Sequence, residues 1–193
     1  MPRTTQVALA HGVGSFIQAL HSIPIERVSG CGVELNQPRE LTIPLRQHAA
    51  TELAPLLPAP IAAALDDTMN RYITGGAEWE YTPAILHCDI DPSHVLYDPE
   101  QSVLTGVIDF GDVVVGDPAR DFIFLLEDWN PDFLELALQA YHREPLEALM
   151  HRIRMFSLLN LVWWTLWVKG QGRDDLFDHG LAELQIFSCG DLG

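Results

Sequence analysis

Apolar residues recur at helical spacing near both ends of the chain. In the first run, four apolar side chains follow one another at steps of four, three and four: Leu9, Val13, Phe16 and Leu20. This period predicts an amphipathic helix that ends near Ser22, ahead of Pro24. The same pattern predicts four helices in the C-terminal half of the chain, over residues 119–129, 131–142, 145–169 and 175–187.

Prolines and glycines divide the part of the chain that follows the first helix. Residues 25–43 contain two glycines and scattered apolar residues, and they are predicted to form a long loop. Pro44 suits the first turn of a helix over residues 44–56. A further helix is predicted over residues 61–73, closed by the pair Gly75-Gly76.

A small β-element is predicted between the two helical parts. Residues 84–86 and 95–97 are short apolar runs, and another run over residues 103–108 follows a turn at residues 98–100. Two such runs joined by a turn indicate a β-hairpin. Strands and helices do not alternate, so the pattern predicts an α+β fold that is mostly α-helical, without a parallel α/β sheet.

Composition and charge narrow the classes of partner. With 193 residues, 48% of them apolar, the chain has the size of one domain with a buried core. Its 27 acidic and 11 basic residues give a net charge of −16, which argues against nucleic acid and anionic membranes and favours a small cationic ligand. The most apolar stretch, residues 156–168, is shorter than the ~20 residues that span a bilayer.

Cysteine usage and the N-terminal sequence predict a cytoplasmic location. The three cysteines, Cys31, Cys88 and Cys189, fit neither a disulfide framework nor a thiolate zinc site. The first residues lack the apolar run and the small-residue cleavage site of a signal peptide. A reducing compartment is therefore expected.

The polar residues that carry chemistry lie where the predicted strands end: His87, Asp89, Asp91, Ser93, His94, Asp109, Asp112 and Asp117. His94 opens one strand of the hairpin and Asp109 ends the other, so the hairpin brings them together, with Asp89 held nearby. A carboxylate that orients a hydroxyl, next to groups that hold a divalent cation, is what phosphoryl transfer needs.

Three segments carry a family resemblance. The segments LHCDIDPSHVLYD (86–98), GVIDFGD (106–112) and GDPARDF (116–122) resemble, in order and spacing, the catalytic core of the aminoglycoside phosphotransferase family, which has a kinase-like fold. His94 stands where that family usually has Asn, as in its aminoglycoside 2″-phosphotransferase and macrolide branches. The resemblance covers about residues 5–188 and corresponds to the family's C-terminal lobe.

The resemblance implies a role for each residue of the motifs. Asp89 would be the catalytic residue that orients the acceptor hydroxyl, and Asp109 with His94 would face Mg²⁺ and the phosphates of ATP or GTP. Three acidic residues would contact a cationic acceptor such as an aminoglycoside: Asp112, Glu127 and Asp128. Three residues are expected to be structural: His87, Asp117 as the N-cap before Pro118, and Asp121.

Two parts of a kinase-like enzyme are missing from the sequence. Lys169 is the only lysine, and no Gly-x-Gly-x-x-Gly motif is present. We therefore expect a single domain without the nucleotide-clamping N-terminal lobe, and weak or no kinase activity of this chain alone. That domain would comprise helices over residues 5–75, a catalytic hairpin over 83–112 and a helical acceptor-binding part over 118–188.

Other interpretations stay open at the level of sequence. The chain could be a non-catalytic protein that binds cationic molecules in an acidic pocket, or a kinase for macrolides or other small alcohols. A metal-dependent hydrolase could use four of the same residues: His87, Asp89, His94 and Asp109. Trp163 and Trp167 share one helix face, which predicts core packing, with the wall of a sugar pocket as the alternative.

Overall fold

The computed structural model describes residues 3–187, and most of them are helical. The helices are α1 (Arg3–His21), α2 (Pro38–Glu52), α3 (Ala59–Thr74), α4 (Pro131–Leu138), α5 (Leu146–Gly170) and α6 (Asp174–Phe187). The strands are β1 (Glu34–Leu35), β2 (Ala84–Leu86), β3 (Val95–Asp98), β4 (Val103–Val107) and β5 (Val114–Gly116). The predicted α+β class with a helical majority is confirmed.

The chain forms two compact units. The first comprises residues 3–36 and 81–153, and the second comprises residues 37–80 and 154–187. Every residue of the three motifs belongs to the first unit. The prediction of a single domain concerns independent folding, which this division does not test, and it stays a prediction.

Helix α1 forms the core of the first unit with α4. Leu9, Val13 and Ile17 lie on one face of α1 and are fully buried. Gly14 lies on the same helix at the point of closest approach, because a Cβ atom there would collide with the carbonyl oxygen of Ala137. The predicted amphipathic helix is therefore confirmed, and its end at His21 agrees with the expected end near Ser22.

Two small sheets frame the motif residues. Strands β3 and β4 form the predicted antiparallel hairpin, with an irregularity between Leu96 and Tyr97. Strand β2 pairs antiparallel with β5, and β5 also pairs parallel with β1. The sequence analysis did not predict β1 or β5. Strand β1 has two residues, too few to carry a periodic signal, whereas β5 lies in the apolar run of residues 113–115, which the sequence analysis left unassigned.

The prediction for residues 25–43 was wrong. Instead of a long loop, this segment contains a 3₁₀ turn over Ile25–Val28 and strand β1, and helix α2 begins at Pro38. Pro44, expected in the first turn, lies inside α2. It withholds the amide that would bond the carbonyl of Glu40, and Pro38 takes the first-turn position instead.

The prediction of one helix over residues 119–129 was also imprecise. The segment has a 3₁₀ turn over Pro118–Phe122 and a π-helical turn over Leu125–Trp129. The apolar period of the sequence does not distinguish these hydrogen-bond patterns from an α-helix. Helix α4 ends at Leu138, earlier than the predicted residue 142.

In the second unit, α2 and α3 are joined by an ion pair between Arg46 and Asp66, with two hydrogen bonds of 2.7 and 2.9 Å.

The prediction that Trp163 and Trp167 pack in the core was wrong. Their exposed fractions are 54% and 49%, and their rings stack on one another. A broad exposed aromatic surface is what the alternative interpretation, a wall for a sugar ring, requires.

Among residues 3–187 no helix has the length and apolar character that a membrane crossing demands.

Candidate active site

The loop between β2 and β3 carries most of the motif residues. Strand β2 ends at Leu86, and the loop then runs from His87 to His94 before β3 begins at Val95. The amide of Ile108 donates to the carbonyl of His94 (3.0 Å), which holds the start of β3 next to the end of β4. The two ends of the hairpin therefore meet as the sequence predicts.

The imidazole ring of His94 lies between the carboxylates of Asp89 and Asp109. Its Nδ1 lies 2.9 Å from the carbonyl oxygen of Asp89 and 3.2 Å from the Asp89 carboxylate. A carbonyl can only accept, so Nδ1 carries a proton and donates. The other ring nitrogen, Nε2, is 3.8 Å from the Asp109 carboxylate. The hydrogen bond to the Asp89 carbonyl, reinforced by the nearby carboxylates, raises the pKa of His94.

Asp89 is a partly buried carboxylate among other acidic groups. Its side chain is 29% exposed. Burial raises the pKa of Asp89, and the negative charges of Asp91 and Asp112 act in the same direction, while His94 opposes them. A carboxylate with a raised pKa accepts a proton more readily than an ordinary one, which suits a group that must receive or orient a hydroxyl proton.

Asp91 shapes the loop between Asp89 and His94. Its carboxylate accepts hydrogen bonds from the amide and the hydroxyl of Ser93, and from the amide of His94. Burial raises the pKa of Asp91, but the hydrogen bonds from Ser93 together with the charge and amide of His94 lower that pKa on balance. One carboxylate oxygen or ring nitrogen from each of Asp89, Asp91 and His94 lies within 4.8 Å of the others.

Asp121 fixes the backbone just before Asp89. Cys88 has a φ of 68°, in the left-handed region that L-residues rarely adopt. The buried carboxylate of Asp121 accepts from the amides of Cys88 (2.7 Å) and His87 (3.0 Å). These bonds hold the turn that directs Asp89 toward His94.

The ring of His87 lies under the loop. Its Nδ1 accepts from the amide of Asp89 (3.3 Å), so Nε2 is the protonated atom and donates to the carbonyl of Ile108 (3.0 Å). The ring also packs edge-on against Phe16 and Phe110. His87 therefore ties the loop to the segment that carries Asp109.

A buried ion pair supports the turn that carries Asp121. Asp117 accepts from the amide of Ala119 (3.0 Å) and caps the 3₁₀ turn over Pro118–Phe122. The guanidinium of Arg152 donates to the same carboxylate at 2.9 and 3.1 Å and also pairs with Glu144. Sequence reasoning did not find Arg152, because its partner is 35 residues away and a buried arginine has no local signature.

Of the three residues expected to contact a cationic acceptor, two lie near the loop. Asp112 is exposed and close enough to Asp89 for its charge to act on that carboxylate. Burial raises the pKa of Asp128, and the charges of Asp91 and Asp89 add to the effect. Glu127 is exposed on the same π-helical turn as Asp128. The contact of these three residues with an acceptor stays a prediction.

Comparison with known proteins decides the family. Residues 2–156 match the model of the family described as the phosphotransferase enzyme family. The chain belongs to this phosphotransferase family. Within it, a curated relative in Bacillus subtilis (strain 168), the uncharacterized protein YcbJ, is 24% identical over 112 residues, which is 58% of this chain and 35% of that protein.

Solved structures show the same fold for this phosphotransferase family member. The complex of APH(2″)-IIia with GDP and kanamycin is 25% identical, with a TM-score of 0.87. The GDP complex of wild-type aminoglycoside 2′-phosphotransferase-IIIa is 26% identical, with a TM-score of 0.85. Each comparison covers 97% of this chain and 64% of the other chain, so this chain spans less than two thirds of their length. The predicted kinase-like fold, with the extent of a C-terminal lobe, is confirmed.

Proposed function

We propose that this chain is the catalytic and acceptor-binding part of a small-molecule phosphotransferase. It would pass the γ-phosphate of ATP or GTP to a hydroxyl group of a cationic acceptor such as an aminoglycoside. The observation that carries the proposal is the convergence of Asp89 and Asp109 on the two ring nitrogens of His94. Their motifs also occur in the order that the family requires.

Asp89 has the properties of the residue that orients the acceptor hydroxyl. Its raised pKa favours acceptance of a hydroxyl hydrogen, and its backbone is held by the Asp121 and His87 hydrogen bonds. Phosphoryl transfer depends mainly on positioning and on neutralisation of charge, so a fixed carboxylate is an effective contribution from the protein.

Asp109 and His94 are the residues that would hold Mg²⁺. The Asp109 side chain is 61% exposed and offers the carboxylate oxygens that Mg²⁺ prefers. Nε2 of His94 is the ring atom that faces it, although imidazole is a softer ligand than the usual asparagine. When bound, the ion supplies neutralisation of the negative charge on the phosphates.

The acidic side chains near the loop suit a cationic acceptor. The charge of Asp112 raises the pKa of Asp89, and the charge of Asp89 raises the pKa of Asp128. Glu127 lies on the same π-helical turn as Asp128. The similar structure of APH(2″)-IIia is a complex with GDP and kanamycin. The net charge of −16 would raise the local concentration of a polycation.

The chain by itself is proposed to transfer phosphate weakly or not at all. Kinases hold the nucleotide with a glycine-rich loop and a strand lysine that pairs with a helix glutamate. The sequence has no glycine-rich motif, and its single lysine, Lys169, lies in α5 and bonds Glu52. Transfer by this chain at the rate of a complete family member would overturn this part of the proposal.

The test of the proposed function is Asp89→Asn, compared with Asp98→Asn in the hairpin turn. Both exchanges keep the shape and remove one charge. In a form of the enzyme that carries the nucleotide-clamping lobe, with Mg²⁺, ATP or GTP and an aminoglycoside panel, we expect Asp89→Asn to lower phosphorylated product by about a hundredfold or more. Acceptor affinity by calorimetry should change less than about twofold, since no salt bridge to the acceptor is removed.

The outcomes separate the alternatives. Equal product from the Asp89→Asn variant and the wild type would overturn the role of Asp89. An acceptor affinity that is the same with and without Mg²⁺ and nucleotide, together with no phosphorylated product, would favour a non-catalytic binding protein. Phosphoester cleavage that requires a transition metal would favour the hydrolase alternative, which uses four residues: His87, Asp89, His94 and Asp109.

A further inference from the structure

A buried histidine outside the three motifs touches the network that holds the catalytic loop. His21 is the last residue of α1, and its side chain is completely buried. Its Nε2 lies 2.9 Å from Oδ2 of Asp121, and its Nδ1 lies 2.9 Å from the hydroxyl of Tyr141. The side chain of Asp121 is also completely buried.

The direction of these hydrogen bonds follows from the chemistry of the partners. The amides of His87 and Cys88 can only donate, so Asp121 accepts at both of its oxygens. Nε2 of His21 is the third donor to the Asp121 carboxylate, after the amides of His87 and Cys88. The opposite nitrogen, Nδ1, is then the acceptor for the hydroxyl of Tyr141 when the ring is neutral.

We propose that His21 is a positioning residue for phosphoryl transfer that acts through Asp121, with Tyr141 fixing the orientation of its ring. This inference rests on the proposed function. His21 restrains the Asp121 carboxylate, which in turn restrains the amides of His87 and Cys88. Because Cys88 is held at a φ of 68°, loss of this restraint lets the loop relax and moves Asp89 from its place beside His94.

A matched pair of substitutions separates the two contacts of the ring. In His21→Gln the side-chain amide reaches about as far as Nε2 and keeps a donor for Asp121. In His21→Asn the shorter amide reaches about as far as Nδ1 and serves Tyr141 only. Asn is smaller than Gln by one methylene group, so His21→Leu, which is at least as large as Gln and has no donor, is the packing control. A hydrogen-bonding role makes it behave like His21→Asn, and a packing role makes it behave like His21→Gln. His11→Asn, on the same helix and bonded to the exposed Gln139, is the control.

The first measurement is hydrogen exchange of the backbone amides, followed by NMR in the full chain. We expect exchange at His87 and Cys88 to rise about tenfold or more in His21→Asn, and to stay within about threefold of the wild type in His21→Gln and His11→Asn. Equal exchange in His21→Asn and His21→Gln, or no change in a folded His21→Asn protein, would overturn the proposal.

The second measurement is kinetic, in any form of the enzyme that transfers phosphate. We expect kcat of His21→Asn to fall about tenfold, with acceptor KM within about twofold of the wild type and recovery in His21→Gln. If the wild type transfers no phosphate even in a form that carries the nucleotide-clamping lobe, the proposed function fails, while the exchange result still decides the role of His21.

A wild-type measurement covers the case in which the variants do not fold. The ring nitrogens of His21 can be assigned by ¹⁵N NMR, and we expect Nε2 to carry a proton that exchanges slowly with water. A ring that is protonated only at Nδ1 would contradict the hydrogen bond to Asp121 and remove the basis of the proposal.

Discussion

At the scale of single residues, two strained backbone positions lie at the candidate site: one directly precedes Asp89 and the other is Asp109 itself. Cys88 and Asp109 have φ values of 68° and 64°, and neither is glycine. Such conformations cost about 1–3 kcal/mol each and persist where the surroundings hold them. Asp121 holds Cys88 through its amide, and the amide of Ile108, next to Asp109, bonds the His94 carbonyl. The strain is located where the carboxylates must be directed toward one another.

The chemistry of Cys88 follows from the same surroundings. Burial, together with the charge of Asp121, raises the pKa of the Cys88 thiol to about 12, whereas Cys31 is exposed. The thiolate is the reactive form, so we expect iodoacetamide at pH 8 to modify Cys88 at least about a hundredfold more slowly than Cys31. Peptide mass spectrometry after timed labelling measures both rates, and labelling in denaturant should remove the difference. Similar native rates would contradict the partial burial of Cys88.

At the scale of elements, the contact between α1 and α4 depends on the missing side chain of Gly14. We expect Gly14→Ala to lower the free energy of unfolding by about 1–3 kcal/mol, because the new methyl group meets a backbone carbonyl that cannot move alone. Gly170→Ala is the control, since a Cβ there meets no atom within 4 Å. Urea unfolding measures both variants. A Gly14→Ala protein as stable as the wild type would show that the helices are farther apart.

The ion pair between α2 and α3 gives a pH-dependent prediction. The hydrogen bonds from Arg46 lower the pKa of Asp66, although burial opposes them. A carboxyl group whose pKa is lowered by folding stabilises the folded state at pH values above its ordinary pKa of ~4. This stabilisation is lost as the pH falls through the folded-state pKa. Both groups are partly exposed, so we expect Asp66→Asn to cost only about 0.5–1 kcal/mol at pH 7 and less than that at pH 2.5.

The control for this pair is Asp67→Asn, which removes the more exposed pair with Arg71 on the same helix. Thermal unfolding at both pH values measures the two variants. Because side-chain exposure weakens an ion pair, the loss at pH 7 should be smaller for Asp67→Asn. A cost of Asp66→Asn that does not change with pH would mean that the charge of Asp66 contributes nothing.

At the scale of the whole molecule, the net charge of −16 acts on every cationic ligand. Salt screens such attraction, so we expect the affinity for an aminoglycoside to fall about tenfold or more between 50 mM and 500 mM NaCl. An uncharged sugar of similar size is the control, and its binding should not respond to salt. Calorimetry at several salt concentrations measures this effect. An aminoglycoside affinity that does not change with salt would exclude long-range attraction.

The accuracy of the sequence predictions differs between kinds of structure. The meeting of His94 and Asp109 was predicted because a hairpin fixes its own register over few residues. The exposure of Trp163 and Trp167 was not predicted, because spacing places residues on one face of a helix but does not say what that face contacts. Helix α2 was placed too late, because Pro38 and Pro44 each suit a first turn.

The sequence by itself determined the helices with a strong apolar period, the hairpin, the acidic balance and the family, since these depend on neighbouring residues or on motif order. Only the tertiary structure showed how Asp89 is held, because its restraints join distant parts of the chain. Asp121 is 34 residues from His87, and His21 is 100 residues from Asp121. A hydrogen bond between residues so far apart leaves no local pattern, and folding alone brings its partners together.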